Sequence, residues 1–202
     1  MPRRQGPAIN RAEVVATAIA LLQAEGPESL GINRVARELG IKPPSLYNHV
    51  ASNEDLRHAV ALEGWSMLEQ QFMAALASPD ASRPLTRRYA DTFRAFVKAH
   101  PALYTLMSTT DLSHDPAYPP VANRILAALM DVLAPFGLEG DAALHAVRGL
   151  RSALHGFVLL ELAGQFPLRL ELSSPFPTYP NVDASYDWLI EMLTRGIQQI
   201  KE

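Results

Sequence analysis

Leu39-Gly40-Ile41-Lys42-Pro43-Pro44-Ser45-Leu46-Tyr47-Asn48-His49-Val50 reads as the end of one helix, a glycine turn and a short helix opened by proline. Gly40 stands where a left-handed residue closes a helix. Pro43 and Pro44 suit a first helical turn, where backbone N–H groups have no intrahelical partner to lose. Leu46 and Val50 fall on one face and should pack inward, which leaves Ser45, Tyr47, Asn48 and His49 on the other sides. A unit of this shape can lay a few polar side chains in a DNA groove.

Upstream, Asn10 with Glu13 makes a capping-box-like start for a helix running to about Glu25. Val15, Ala18, Ile19 and Leu22 form its apolar stripe, and Gly26-Pro27 ends it. Ile32, Val35, Ala36 and Leu39 repeat the spacing in a second short helix. Downstream, Ser52 with Asp55 opens a long helix to about Ala77, with Leu56, Val60, Trp65, Leu68, Phe72 and Leu76 on its apolar side. Further helices are predicted near 81–99, 101–108, 118–135, 141–165 and 183–200, and alternating strand patterns are missing. The proline-rich Ser173–Pro180 stretch is predicted to be a fixed surface loop. The expected fold is all-α, with about nine helices. A three-helix helix-turn-helix domain with a basic arm covers 1–52, and a larger helical domain covers 53–202.

Composition narrows the function classes. A chain of 202 residues with 48% apolar content can bury one sizeable core, or a small module beside a larger one. It has no cysteine, which excludes disulfides and thiolate zinc sites and suits a reducing cytoplasm. The start Met1-Pro2-Arg3-Arg4-Gln5 lacks an apolar signal core. No apolar run of about 18 residues is present, so a cytoplasmic protein without a membrane span is expected. The net charge is -3. Residues 1–60 hold seven Lys and Arg against six Asp and Glu, and the remainder holds eleven against fifteen. Charge alone therefore does not point to nucleic acid. His100, His114 and His145 show no metal-ligand spacing, and Asp111 with Asp115 on a loop makes no convincing catalytic pair. No metal, cofactor or catalytic constellation is expected.

Residues 10–57 resemble the DNA-binding domain of the tetracycline-repressor-like (TetR) transcriptional regulators. The resemblance is carried by Val14–Leu22, Val35-Ala36-Arg37-Glu38-Leu39-Gly40-Ile41, Pro44–Val50 and Ser52-Asn53-Glu54-Asp55-Leu56. It implies a double-stranded, palindromic DNA operator as partner. Ser45, Asn48 and His49 would face bases or phosphates. Tyr47 would either reach a phosphate through its hydroxyl or brace the two helices with a partly buried ring. Arg3, Arg4, Asn33, Arg34, Lys42 and Pro44 complete the expected DNA face. Asn53 stands where the family commonly has a phosphate-touching lysine. It keeps a donor at a helix N-terminus, which itself attracts phosphate.

Leu154-His155-Gly156-Phe157, followed by Leu160-Glu161-Leu162 and Phe166, resembles the ligand-binding domain of a TetR subgroup with a Trp-His-Gly-type motif. That resemblance implies a small-molecule effector among these helices. Trp65, Phe72, Phe93, Phe96, Tyr104, Met107 and Met130 would line an apolar cavity or form plain core, and His155 is either a ligand contact or a core histidine. Independently of any family, Ala142, Ala146, Gly149, Ala153, Gly156, Leu160 and Ala163 share one helix face and are nearly all small. Such a stripe is either a tight crossing within the chain or a dimer seam. The family dimerises through its last two helices, which favours the seam and adds Trp188. A two-fold dimer would hold two recognition helices about 34 Å apart, one DNA turn. The competing reading is a helical binding or catalytic domain whose N-terminal module contacts another protein.

Overall fold

The computed structural model describes residues 9–79, 82–166 and 181–200. Every regular element among them is helical. The helices are α1 (Arg11–Glu25), α2 (Ile32–Glu38), α3 (Pro43–Leu46), α4 (Asn53–Ala77), α5 (Leu85–Ala99), α6 (Pro101–Thr109), α7 (Tyr118–Leu133), α8 (Gly140–Leu162) and α9 (Val182–Gln199). Short 3-10 turns follow α1 and α7. Arg3, Arg4 and the Ser173–Pro180 stretch lie outside the described residues.

The chain forms two compact units, Met1–Gln70 with Ala99–Asn123, and Gln71–Lys98 with Arg124–Glu202. In the first, the Asn10 side chain accepts from Glu13 N at 2.8 Å and starts α1. Val14, Val15, Ala18, Ile19, Leu21 and Leu22 are then buried on its inner face. At the end of α2, Gly40 has φ +67 and Ile41 N donates to Ala36 O at 3.0 Å. Gly40 N donates to Arg37 O at 3.2 Å, which completes a Schellman closure. A residue with a Cβ would be strained there.

α3 is shorter than the expected run to Val50. Its α-helical part is Pro43–Leu46, after which His49 N and Val50 N both turn back to Leu46 O at 2.9 and 3.1 Å. Leu46 and Val50 are buried as expected. The α4–α6 approach is close. A Cβ built on Gly64 would lie 2.6 Å from Met107 Sδ, 2.8 Å from its Cγ and 3.1 Å from Leu103 Cδ1.

In the second unit, α5 begins at Leu85 rather than near residue 81, because Pro84 fixes the entry and its carbonyl accepts the first bond, from Arg88 N. α7 stops at Leu133, where Ala134–Phe136 tightens into a 3-10 turn closed by the left-handed Gly137. α8 ends at Leu162 because Gly164, with φ +64, closes it through Gln165 N to Leu160 O. The core includes Phe72 stacked on Tyr89 with ring centroids 4.2 Å apart.

Candidate nucleic-acid interface

The first unit shows how a four-residue helix is held in place. A helix this short has no stability of its own. Leu46 and Val50 fasten it from below, each worth about 2 kcal/mol of apolar burial. Lys42, Pro44, Ser45, Tyr47 and Asn48 remain exposed, and His49 is half-buried. Tyr47 is 55% exposed, so its ring is at most partly buried. Ser45, Tyr47, Asn48 and His49 thus sit together on one short segment whose apolar side is already occupied.

The flanking residues are tied more closely than spacing suggests. Asn53 Oδ1 accepts from Ile32 N at 2.9 Å and so caps α2 across 21 residues, a job Gly31 has no side chain to do. Asn33 is exposed on the first turn of α2. Arg34 is paired with both Glu25 and Glu38, which raises its pKa and neutralises much of its field. Its candidacy as a phosphate contact is weakened accordingly.

Two residues missing from the expected DNA face organise it. Arg11, the first residue of α1, donates from Nη1 to His49 O at 2.6 Å. It also forks onto Asp55, with Nη2 to Oδ1 at 2.8 Å and Nη1 to Oδ2 at 3.2 Å. Asp55 Oδ2 accepts from Ala51 N at 2.7 Å, and Asp55 N donates to Ser52 Oγ at 3.0 Å. Arg11, and then the Ala51 amide, hold the Asp55 carboxyl below the usual carboxylate range. The Ser52/Asp55 pair was visible in the sequence as a helix start. Its link to Arg11 spans 44 residues, and no local signal reports it.

The second unit carries the residues expected at the dimer seam. Ala146 is buried and Ala153 half-buried, whereas Gly149, Gly156, Leu160 and Ala163 face outward. A Cβ built on Gly149 or Gly156 would meet no atom within 4 Å among the described residues. The small residues there make room for no other helix among the described residues. On α9, Trp188 is 65% exposed and Met192 lies beside it on the outer face. The inner face of α9 is strapped to α5. Arg94 pairs with Glu161 on α8 and Asp183 on α9, both at 2.6 Å, and Arg87 pairs with Asp187 at 2.6 Å. Tyr186 lies beneath, 4.5 Å from the Arg94 guanidinium to its ring centroid.

The residues expected at an effector site divide between the two units. Trp65, Tyr104 and Met107 belong to the first, where Trp65 meets Tyr118 edge-on with centroids 6.4 Å apart. Phe72, Phe96, Met130 and His155 belong to the second. Phe72, Phe96, Tyr104 and Met107 are fully enclosed, while Met130 is exposed. His155 stacks on Phe93 at 4.5 Å, and burial, aided by Arg151, pushes its pKa down to about 4. It is therefore a neutral imidazole near pH 7. Among the described residues no group of three or more His, Cys, Asp or Glu is placed to hold a metal ion. No single helix among them is long and apolar enough to cross a membrane.

Comparisons with known proteins place these features. Residues 14–60 match the family model described as bacterial regulatory proteins, tetR family. Residues 86–193 match the model for the tetracyclin repressor-like C-terminal domain. An uncharacterized HTH-type transcriptional regulator of Mycobacterium tuberculosis is 38% identical over 160 residues, 77% of this chain and 72% of that protein. Apo ActR from Streptomyces coelicolor superposes with a TM-score of 0.71 at 20% identity, covering 98% of each chain. A TetR variant from Acinetobacter baumannii AYE in complex with minocycline gives 0.68 at 19% identity, covering 96% of this chain and 99% of that one. The two structural likenesses concern the fold, whereas the family models and the Mycobacterium relative carry the assignment. The chain belongs to the tetracycline-repressor-like family of DNA-binding transcriptional regulators.

Proposed function

We propose that the protein is a homodimeric repressor released from a palindromic operator by a small, largely apolar ligand. The observation that carries the dimer is the open α8 face, where Gly149 and Gly156 meet nothing within 4 Å among the described residues. Exposed Leu160, Trp188 and Met192 lie on the same two helices. Small residues beside large apolar ones suit close packing against a second copy. One module presents few basic groups to phosphate, so useful operator affinity calls for two modules acting together.

Free protein would hold its two recognition segments about 34 Å apart, matching adjacent major grooves. The ligand would sit in the domain 53–202, either against Trp65, Tyr104 and Met107 or against Phe72, Phe96 and Met130, where neutral His155 would be a hydrogen-bonding contact. Binding of minocycline by the Acinetobacter relative makes a drug-sized effector reasonable here. Release needs only that the ligand bind better to a dimer shape that misfits the operator. α4, which runs from one unit into the other, is the proposed lever.

Gel shift on the DNA upstream of the chain's own gene, backed by selection from random duplexes, tests the reading. Sequence-selective binding is expected from the wild type, and its absence in both formats would sink the proposal. Tyr47→Ala with Asn48→Ala should abolish that binding. Both residues are exposed, so the unfolding free energy should change by no more than about 0.5 kcal/mol per substitution, as is typical of surface positions. Retained binding would place the DNA face elsewhere.

A further inference from the structure

We infer that Arg11 is a positioning residue for DNA recognition: it sets the pose of the segment Ser45–His49 without touching the operator itself. The inference rests on the proposal that this segment is the DNA face. α3 has four residues and cannot orient itself. Leu46 and Val50 fix one side of it, but the polar side leads through Tyr47, Asn48 and His49 to an abrupt turn at Ala51–Ser52.

Among the described residues, the side-chain cation bonded to the end of that segment is Arg11, which donates to the His49 carbonyl at 2.6 Å. Its other contacts go to Asp55, which in turn holds Ala51 N at 2.7 Å. A single guanidinium–carboxylate pair thus ties the start of α1, the end of the recognition segment, the following turn and the first turn of α4. The planar fork of arginine is what allows this, since one group serves a carbonyl and both oxygens of a carboxylate. A lysine would keep the charge but not the geometry.

Among the described residues, the strap leaves the reading side chains unoccupied. Arg11 engages His49 through its backbone, so the imidazole and the side chains of Tyr47 and Asn48 are not consumed by holding the segment in place. Arg11 also borders a groove of about 550 Å³ between α1 and α4, whose floor includes Val15, Ile19 and Ala59. Asp115, on the segment after α6, borders the same groove and adds to the negative field around the guanidinium. The pose of the reading segment is therefore linked to elements well away from the DNA.

The experiment uses full-length protein and a duplex selected with the wild type from a random pool. Affinities for that duplex and for an unrelated one are measured at several salt concentrations for Arg11→Ala, Arg11→Lys, Asp55→Asn and Arg11→Ala/Asp55→Ala. Arg11→Ala, Arg11→Lys and Asp55→Asn should each lower specific affinity at least tenfold. Affinity for the unrelated duplex should change much less, and the salt slope should match the wild type. The double variant should be no worse than the poorer single one, because both remove one shared strap. Three results would overturn the inference. Unchanged specific affinity in Arg11→Ala and Asp55→Asn shows that the strap is idle. A slope reduced by about one in Arg11→Ala, with Asp55→Asn at wild type, makes Arg11 a phosphate contact. Full selectivity in Arg11→Lys shows that charge, not the fork, is what matters. If Arg11→Ala does not fold, Arg11→Lys and Asp55→Asn still decide the question. Loss of binding in Tyr47→Ala/Asn48→Ala supports the underlying DNA face separately, so the two ideas fail independently.

Discussion

Gly64 leaves no room for even a methyl group. Its absent Cβ would collide with the Sδ and Cγ of Met107 and crowd Leu103, two fully buried side chains of α6. Alanine at a helix interior gains about 1 kcal/mol in propensity over glycine. Overpacking a core of this kind costs about 1–3 kcal/mol. Gly64→Ala should therefore lose about 1 kcal/mol net, read by urea denaturation, and a more stable variant would show that Met107 moves aside freely. His155 makes a second prediction at this scale. Its pKa is about 4 in the folded chain against 6.5 as the ordinary value, so the unfolded chain binds the extra proton between those limits. Stability should then fall as pH drops from about 6.5 toward 4, by up to about 3 kcal/mol, and be fully present above that window. His155→Phe should flatten this limb in pH-dependent melts, whereas an unchanged limb would assign it to other groups. Neither residue's role is legible in the sequence. Gly64 sits in an ordinary helical pattern, and the neutrality of His155 follows from its burial in the folded chain.

Helices were the easier scale to read. Periodic apolar spacing, capping pairs and glycine stops are local, and α1, α4 and α6 begin and end within a residue or two of the expected positions. α3 came out shorter because backbone bonding after Leu46 tightens into a turn, which side-chain spacing does not report. The starts and ends of α5 and α8 shifted toward Pro84 and Gly164, where local chemistry overrides a continuing apolar stripe. Cross-element straps stayed hidden, and they matter most at α9. Arg94 and Glu161 are only 14% and 13% exposed, and Arg94 also reaches Asp183. Arg94→Ala would leave Glu161 with Lys98 as its remaining ionic partner and release the start of α9 from α5. The expected loss is about 2–4 kcal/mol, since truncating one member of a largely buried pair strands the other. Calorimetry should show it, and a loss below about 0.5 kcal/mol would mean that the strap behaves as an ordinary surface pair.

The whole molecule is understood through what its isolated chain leaves uncovered. Trp188, Met192 and Leu160 are apolar and exposed, and a Cβ at Gly149 or Gly156 would meet nothing within 4 Å among the described residues; these are the residues of the proposed seam. Trp188→Glu should leave the protomer folded, because most of that side chain is already in solvent. The same change should render the protein monomeric in analytical ultracentrifugation and weaken operator binding at least tenfold. A variant that stays dimeric would move the seam off this face, and a wild type that is monomeric at micromolar concentration would remove the dimer altogether. The small-residue stripe was visible in the sequence, but its two meanings were not separable there. The open space around Gly149 and Gly156 among the described residues is visible only in the folded chain.

The division of labour on the short helix α3 has an evolutionary corollary. Leu46, Val50 and a backbone carbonyl hold the segment, while Ser45, Tyr47 and Asn48 are exposed. Substitutions at those three exposed positions are nearly free of folding cost, so under the proposed function drift can sample new operator sequences without first risking the protomer. A lineage of such proteins can therefore diverge in the genes it controls faster than in its architecture, with the innovation concentrated in a few exposed side chains.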